Sequence, residues 1–230
     1  MSGKISTRLN TNGLIFYVDV ANSNSYKVLN LIDIGAGRTG TLNGTTFNGS
    51  NGGNLLLNGS SDYISFPLDA NLKVSYVTID CWVNPTSAGN IAPLFSTFDF
   101  GNYDLGLGSS GFALTWGNNT FGFYYTDAFG NNLKTSTIIS NIMGQWSNIV
   151  FTYDGTNTTF YLNGSLLTTF VNSTSRIDWG SSNLTTANIG RKNTNAGYFP
   201  GKIASVKVYN RALTSSEILD SYNKFSKRFS

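Results

Sequence analysis

The sequence predicts an all-β antiparallel sandwich closed by one short C-terminal helix. Three observations predict it. Apolar and polar residues alternate with a period of two over many short segments. Clusters of Gly and Asn separate those segments, and several contain the Asp-Gly or Asn-Gly pairs that tight hairpins require. Helical spacing of apolar residues occurs in one place, after residue 213. Charged residues make up only 12% of the chain and aromatics reach 14%. Asn, Ser, Thr and Gly must therefore supply the polar surface, a usage common in β-rich extracellular and viral surface proteins.

Taken in order, residues 1–12 are polar and are expected to form an arm. Leu14, Phe16, Val18 and Val20 share one face of a first strand. Residues 21–53 are rich in Asn, Gly and Ser, with weak strands at best. Asn54–Leu57 and Tyr63–Phe66 read as two strands joined at Asn58-Gly-Ser-Ser61. Val77–Val83 is apolar on both faces, as a central strand would be, and carries the single cysteine, Cys81, as a buried thiol. Three alternating sets follow: Tyr103, Leu105 and Leu107; Phe112, Leu114 and Trp116; Phe121, Phe123 and Tyr125. Gly and Asn clusters between them predict a hairpin meander. Trp146–Tyr153, Thr158–Leu162 and Ser165–Phe170 are strands joined by turns at Asp154-Gly155 and Asn163-Gly164. Lys202–Tyr209 is the last strand, with Ala204, Val206 and Val208 inward.

Thr214-Ser-Ser-Glu217 fits a capping box, with Leu213 and Ile218 at the staple positions. Ile218, Leu219, Tyr222 and Phe225 then recur on one helical face. The organisation expected is an arm at 1–12, a sandwich at 13–213, and a capped helix with a basic tail at 214–230.

Several functions are excluded on composition. The net charge of +3 is small and dispersed, and its one cluster, Lys224, Lys227 and Arg228, reads as a solvated tail, so no nucleic-acid partner is expected. No apolar run approaches the ~20 residues of a membrane helix, so no membrane insertion is expected. The N-terminus lacks a signal-peptide core although the composition looks extracellular, as expected either of a trimmed chain or of a phage protein made in the cytoplasm and released by lysis. With no histidine, neither a Ser-His nor a Cys-His pair can form. Retaining glycoside hydrolysis needs two carboxyl groups ~5 Å apart, yet Glu217 is the only glutamate and sits in the predicted cap. The closest aspartate pairs are Asp99 with Asp104 and Asp62 with Asp69. We therefore expect no enzyme.

Gly13-Leu-Ile-Phe-Tyr-Val-Asp19, Leu57–Phe66, Val77–Val83, Trp146–Gly155, Phe160-Tyr-Leu-Asn-Gly164 and Gly201–Ile218 occur in an order that resembles laminin G-like members of the concanavalin A-like lectin/glucanase superfamily. The resemblance implies a jelly-roll of two curved antiparallel sheets. The hydrolases of that superfamily carry two glutamates and an aspartate on one strand, a set absent here. The ending Tyr209–Phe229 is similar to a narrower group found in structural proteins of tailed phages and in bacterial surface proteins. It implies a virion surface component (capsid decoration, tail or fibre), with other virion proteins as partners, host surface glycans as ligands and a homo-oligomeric state. The alternative is a carbohydrate-binding module of a bacterial extracellular surface protein.

The resemblance also implies where ligands would sit. No cofactor is required, but many members bind calcium through Asp carboxylates and backbone carbonyls. Asp19 and Asp33 are the candidates by position. Relatives carry an acidic pair where this chain has Ala204-Ser205, and the bland alternative makes both aspartates turn or edge residues. Glycan binding needs exposed aromatic rings. Trp116, Tyr124, Tyr125, Trp179, Tyr198 and Phe199 lie in or beside predicted loops and are the candidate platform; otherwise they close the ends of the core. Trp82 and Trp146 read as core.

Overall fold

The computed structural model describes residues 9–101, 109–139, 142–172, 175–180, 184–194 and 196–230. Among them, two antiparallel sheets face each other. The first runs β15 (Ser165–Val171), β14 (Asn157–Leu162), β13 (Ser147–Tyr153), β8 (Val77–Pro85), β17 (Pro200–Tyr209), β6 (Asn54–Asn58) and β5 (Thr46–Asn48). Its eighth strand, β1 (Leu14–Asp19), also pairs with β17. The long strand β17 therefore has β8 along one edge and two strands along the other: β6 through Pro200–Ile203, and β1 from Ser205 to Tyr209. The second sheet runs β12 (Asn132–Ile138), β11 (Thr120–Thr126), β10 (Phe112–Gly117), β9 (Ala92–Ser96), β16 (Thr186–Ile189), β7 (Tyr63–Pro67), β4 (Thr39–Asn43), β3 (Asn30–Ile32) and β2 (Tyr26–Lys27). This is an antiparallel β-sandwich consistent with a jelly-roll.

Alternation explains the core. Val77, Ile79, Cys81 and Val83 of β8, and Ile149, Phe151 and Tyr153 of β13, point between the sheets. From the second sheet, Phe112, Leu114 and Trp116 meet them together with Phe121, Phe123 and Tyr125. Phe123 and Phe151 stack across the interface at 3.7 Å. The hairpin turns have the expected chemistry: Asn163 and Gly164 have φ of 50° and 76°, and Asn118 and Asn119 have φ of 52° and 56°.

Residues 21–53 hold four strands of two to five residues, in keeping with the weak strands expected there. Other expectations are corrected. β9, β12 and β16 were not marked by alternation, because β16 has four residues and β12 is largely polar. The register shifts between Leu14 and Phe16, so Leu14 leaves the core face and packs on the outside of the first sheet. A second shift between Ile203 and Ser205 puts Ile203, rather than Ala204, beside Val206 and Val208 in the core cluster. The expected strand at Tyr103, Leu105 and Leu107, and Met1–Arg8 of the expected arm, lie outside the described residues.

Helix α1 (Ser215–Ser226) begins at Thr214 with the complete capping box. Leu213 and Ile218 bury together against Val150, Tyr161 and Tyr209, on the outer face of the first sheet. Leu219 instead faces solvent, at 46% exposure. Beneath the helix lies a buried ion pair, Lys207 Nζ to Asp80 at 2.9 Å. Asp80 also accepts from Asn148 Nδ2 (2.7 Å) and Ser221 Oγ (2.8 Å). Among the described residues, no helix is long and apolar enough to cross a membrane.

Candidate binding site

Most of the expected aromatic platform is interior. Trp116, Tyr125 and Phe199 are each 0% exposed. Trp116 donates its indole N–H to Ser87 O at 3.0 Å, and Tyr125 packs on Tyr153 at 4.7 Å. These rings fall on the inward parity of their strands or ends, so none offers a face to a sugar. Tyr124 has the outward parity of β11, but Phe98 and Phe100 fold over it at 6.0 and 5.4 Å. Trp179 is half-buried, edge-on to Phe112, with its N–H donated to Val74 O at 2.9 Å. Tyr198 is half-buried beside Tyr63, ring centroids 6.4 Å apart.

Tyr198 leads to a surface that sequence reasoning missed. The outward residues of the second sheet line up as direct cross-strand neighbours: Thr41, Ser65, Asn188, Ser96, Ala113, Tyr124 and Lys134. All but Ala113 are polar. Tyr63 shares the outward parity of Ser65 at the start of β7. The Arg191 guanidinium lies over its ring, 3.4 Å from the centroid. Arg191 Nε also reaches Asn188 Oδ1 at 3.5 Å. Lys192 follows, with its ammonium 4.9 Å from the Phe100 ring. The loop carrying these cations is tied down by Asn193, which accepts from Phe100 N and donates to Asp99 Oδ1. Two half-buried tyrosines and a stacked guanidinium thus share one end of this face, over the buried amide of Asn188. The available signals were the parity of Tyr63 and the Arg191-Lys192 pair after β16; their meeting was not visible.

The calcium expectation does not fit the residues. Asp33 is buried, accepts from Tyr17 N and Gly35 N (both 2.8 Å), and pairs with Arg38 at 2.5 Å. Arg38 spans onward to Asp69 at 2.7 Å. Asp19 accepts from Tyr17 Oη and Ala21 N and pairs with Arg228 at 2.7 Å. Arg228 also donates to the carbonyls of Asn51 and Gly53. Calcium takes six to eight oxygens, and here each carboxylate is already neutralised by a guanidinium. Among the described residues, no group of three or more His, Cys, Asp or Glu is placed to hold a metal.

The carboxylates are likewise arranged for structure. Both oxygens of Glu217 are engaged, by Arg211 (2.6 and 2.9 Å), Thr214 N (2.8 Å) and Asn10 Nδ2 (2.8 Å). The Arg211 hydrogen bonds pull its carboxyl down to about 2. It is ionised at neutral pH and holds no proton to donate. Asp62 accepts from Asn58 N and Ser61 Oγ, and Asp69 serves Arg38. Asp104 lies outside the described residues.

Comparison with known proteins fits this architecture. Residues 58–219 match the family described as the concanavalin A-like lectin/glucanases superfamily. No curated protein matches the chain. Among solved structures, the receptor binding domain of botulinum neurotoxin type G is similar at 19% identity and a TM-score of 0.67, over 92% of this chain and 51% of that one. The binding domain of Paraclostridial mosquitocidal protein 1 gives 18% and 0.70, over 95% and 53%. The ligand binding domain of botulinum neurotoxin serotype D, solved in complex with N-acetylneuraminic acid, gives 14% and 0.68, over 93% and 51%. At these identities the likeness is one of fold, and this chain spans about half the length of each.

Proposed function

The chain belongs to the concanavalin A-like lectin/glucanase superfamily, and from that premise we propose that it is a non-catalytic binding domain for an acidic surface glycan. The observation that carries the reading is the Arg191 guanidinium stacked on half-buried Tyr63, with Tyr198 and Asn188 beside it. Aromatic rings pack on the apolar faces of sugars. A guanidinium stacked on one of those rings adds positive charge beside them, which favours an acidic sugar. A structural neighbour was solved with a carboxylate-bearing sugar, which supports the class of ligand. The engaged state of Glu217 supports the absence of catalysis.

The test is a glycan array that includes sialylated and neutral glycans. Saturable binding to sialylated members is expected, and Arg191→Ala should weaken it by roughly tenfold or more. A flat array, or binding that ignores the charge of the sugar, overturns the reading. We further propose that the domain sits on a tailed-phage virion, as a repeated subunit among other virion proteins, with the bacterial cell surface as the alternative setting. The support is the run Tyr209–Phe229 and its similarity to such proteins. Absence of the chain from purified particles by mass spectrometry would remove the virion setting.

A further inference from the structure

The outer face of the first sheet holds a cluster with chemistry of its own. Lys207 of β17 and Asp80 of β8 are direct cross-strand neighbours. Opposed residues of an antiparallel pair have Cβ atoms about 4.5–5.5 Å apart, well within the reach of a lysine side chain. Lys207 Nζ lies 2.9 Å from Asp80 Oδ2. The other ion pairs described above use Arg38, Arg211 and Arg228. A guanidinium keeps its charge, whereas a buried lysine can lose its proton and become a nucleophile.

The groups around the pair engage both oxygens of the carboxylate. Ser221 of α1 touches each partner: its Oγ accepts from Lys207 Nζ at 3.1 Å and donates to Asp80 Oδ2 at 2.8 Å. Asn148 Nδ2 donates to the other oxygen, Oδ1, at 2.7 Å. That amide is held with its N–H on Asp80 although its own buried oxygen has no donor among the described residues. The Phe225 ring closes over the ammonium, 4.1 Å from Nζ to its centroid, and the Tyr17 ring lies 5.9 Å away. Lys207 and Asn148 are 0% exposed and Asp80 is 1%. A buried ion pair adds little net stability over apolar residues of the same shape, so stability alone is a weak reason for this cluster. Its geometry has the parts of an amide-forming site: a nucleophile, a proton relay, a donor to the carbonyl oxygen and a cover against water.

We propose that Lys207 and Asp80 condense into an intramolecular amide cross-link between β17 and β8. One proton passes from Nζ through Ser221 Oγ to Oδ2, leaving an amine and a carboxylic acid. Nζ attacks Cγ and the Nζ–Cγ bond forms, while the charge gathering on Oδ1 is held by the Asn148 N–H. A second proton follows the same relay, the Cγ–Oδ2 bond breaks, and Oδ2 leaves as water. Ammonium and carboxylate thus give one neutral amide and one water, with no other reactant. The product removes two buried charges, and a site closed to water favours it. Cys81 is the single cysteine, so no disulfide can join these strands. The amide staples β17 to the middle of the sheet and is not opened by reduction. It stands apart from the glycan reading, and neither depends on the other.

The experiment is denaturing mass spectrometry of the full chain, purified in its folded state, followed by tryptic mapping. The wild-type mass should fall below the sequence mass by one water. Trypsin should fail to cut at Lys207, and peptides 74–134 and 203–211 should appear as one linked species. Lys207→Arg keeps the charge and should restore the full mass. Ser221→Ala keeps both reacting groups and should slow the link about a hundredfold or more in a time course after synthesis. A folded wild-type chain of full mass overturns the proposal. So does a lost water that maps elsewhere, such as Asp154-Gly155, with Lys207 still cut. A link that forms at the same rate in Ser221→Ala overturns the relay. Because the wild-type mass is decisive by itself, a variant that fails to fold does not spare the proposal.

Discussion

The two outer faces of the sandwich come from the same strand alternation and are covered to different extents. On the second sheet the outward row is buried at Asn188, Ser96, Ala113 and Tyr124, but it is open at its β4–β7 end, where Thr41 is exposed and Ser65 half-exposed. On the first, outward Asp80, Lys207, Trp82 and Asn148 are sealed under α1 and the segment that follows it. Each buried polar group there needed a partner, and most found one: Lys207 and Asn148 both meet Asp80. Parity decides which side of a sheet a residue takes. What covers that side decides whether a polar residue there is incidental or expensive.

The sharpest way to break this contrast is Lys207→Ala. It leaves Asp80 charged and buried without its cation, and should cost about 3–5 kcal/mol in chemical denaturation. A loss below about 1 kcal/mol would mean that water reaches the pair and that the seal is not real. Thr214→Ala loosens the lid rather than what lies beneath it. Removing the capping hydroxyl should cost on the order of 1 kcal/mol by the same measurement. Thr41→Ala is the opposite extreme, on the open face, where a change within about ±0.5 kcal/mol is expected. A larger loss there would show that the open face is a structural network after all.

Much of this was legible in the sequence, for identifiable reasons. The turn at Asn163-Gly164 and the cap at Thr214 are local devices, written in adjacent residues. The central position of β8 was legible from Val77, Ile79, Cys81 and Val83, but its other face is not apolar as expected: Thr78 and Asp80 are buried there beside Trp82. Trp82 read as core and is buried, on the outer side of the sheet under α1. Tyr124 and Tyr125 are neighbours on opposite faces, and the aromatic run around them does not say that a segment with Phe98 and Phe100 covers the outer one. Asp19 looked like a metal ligand because its neutralising partner, Arg228, is 209 residues away. Arg191 carried no periodic signal, and its meaning came from Tyr63 on another strand.

The double edge of β17 has a consequence for how the chain is made. Val18 pairs with Val206, and Leu55 with Ile203. Strand β1 must wait for β17, which follows it by nearly 200 residues. Such distant pairing slows folding, and through that interval β1, with Phe16 and Val18 uncovered, is a bare edge open to the same strand of a neighbouring nascent chain.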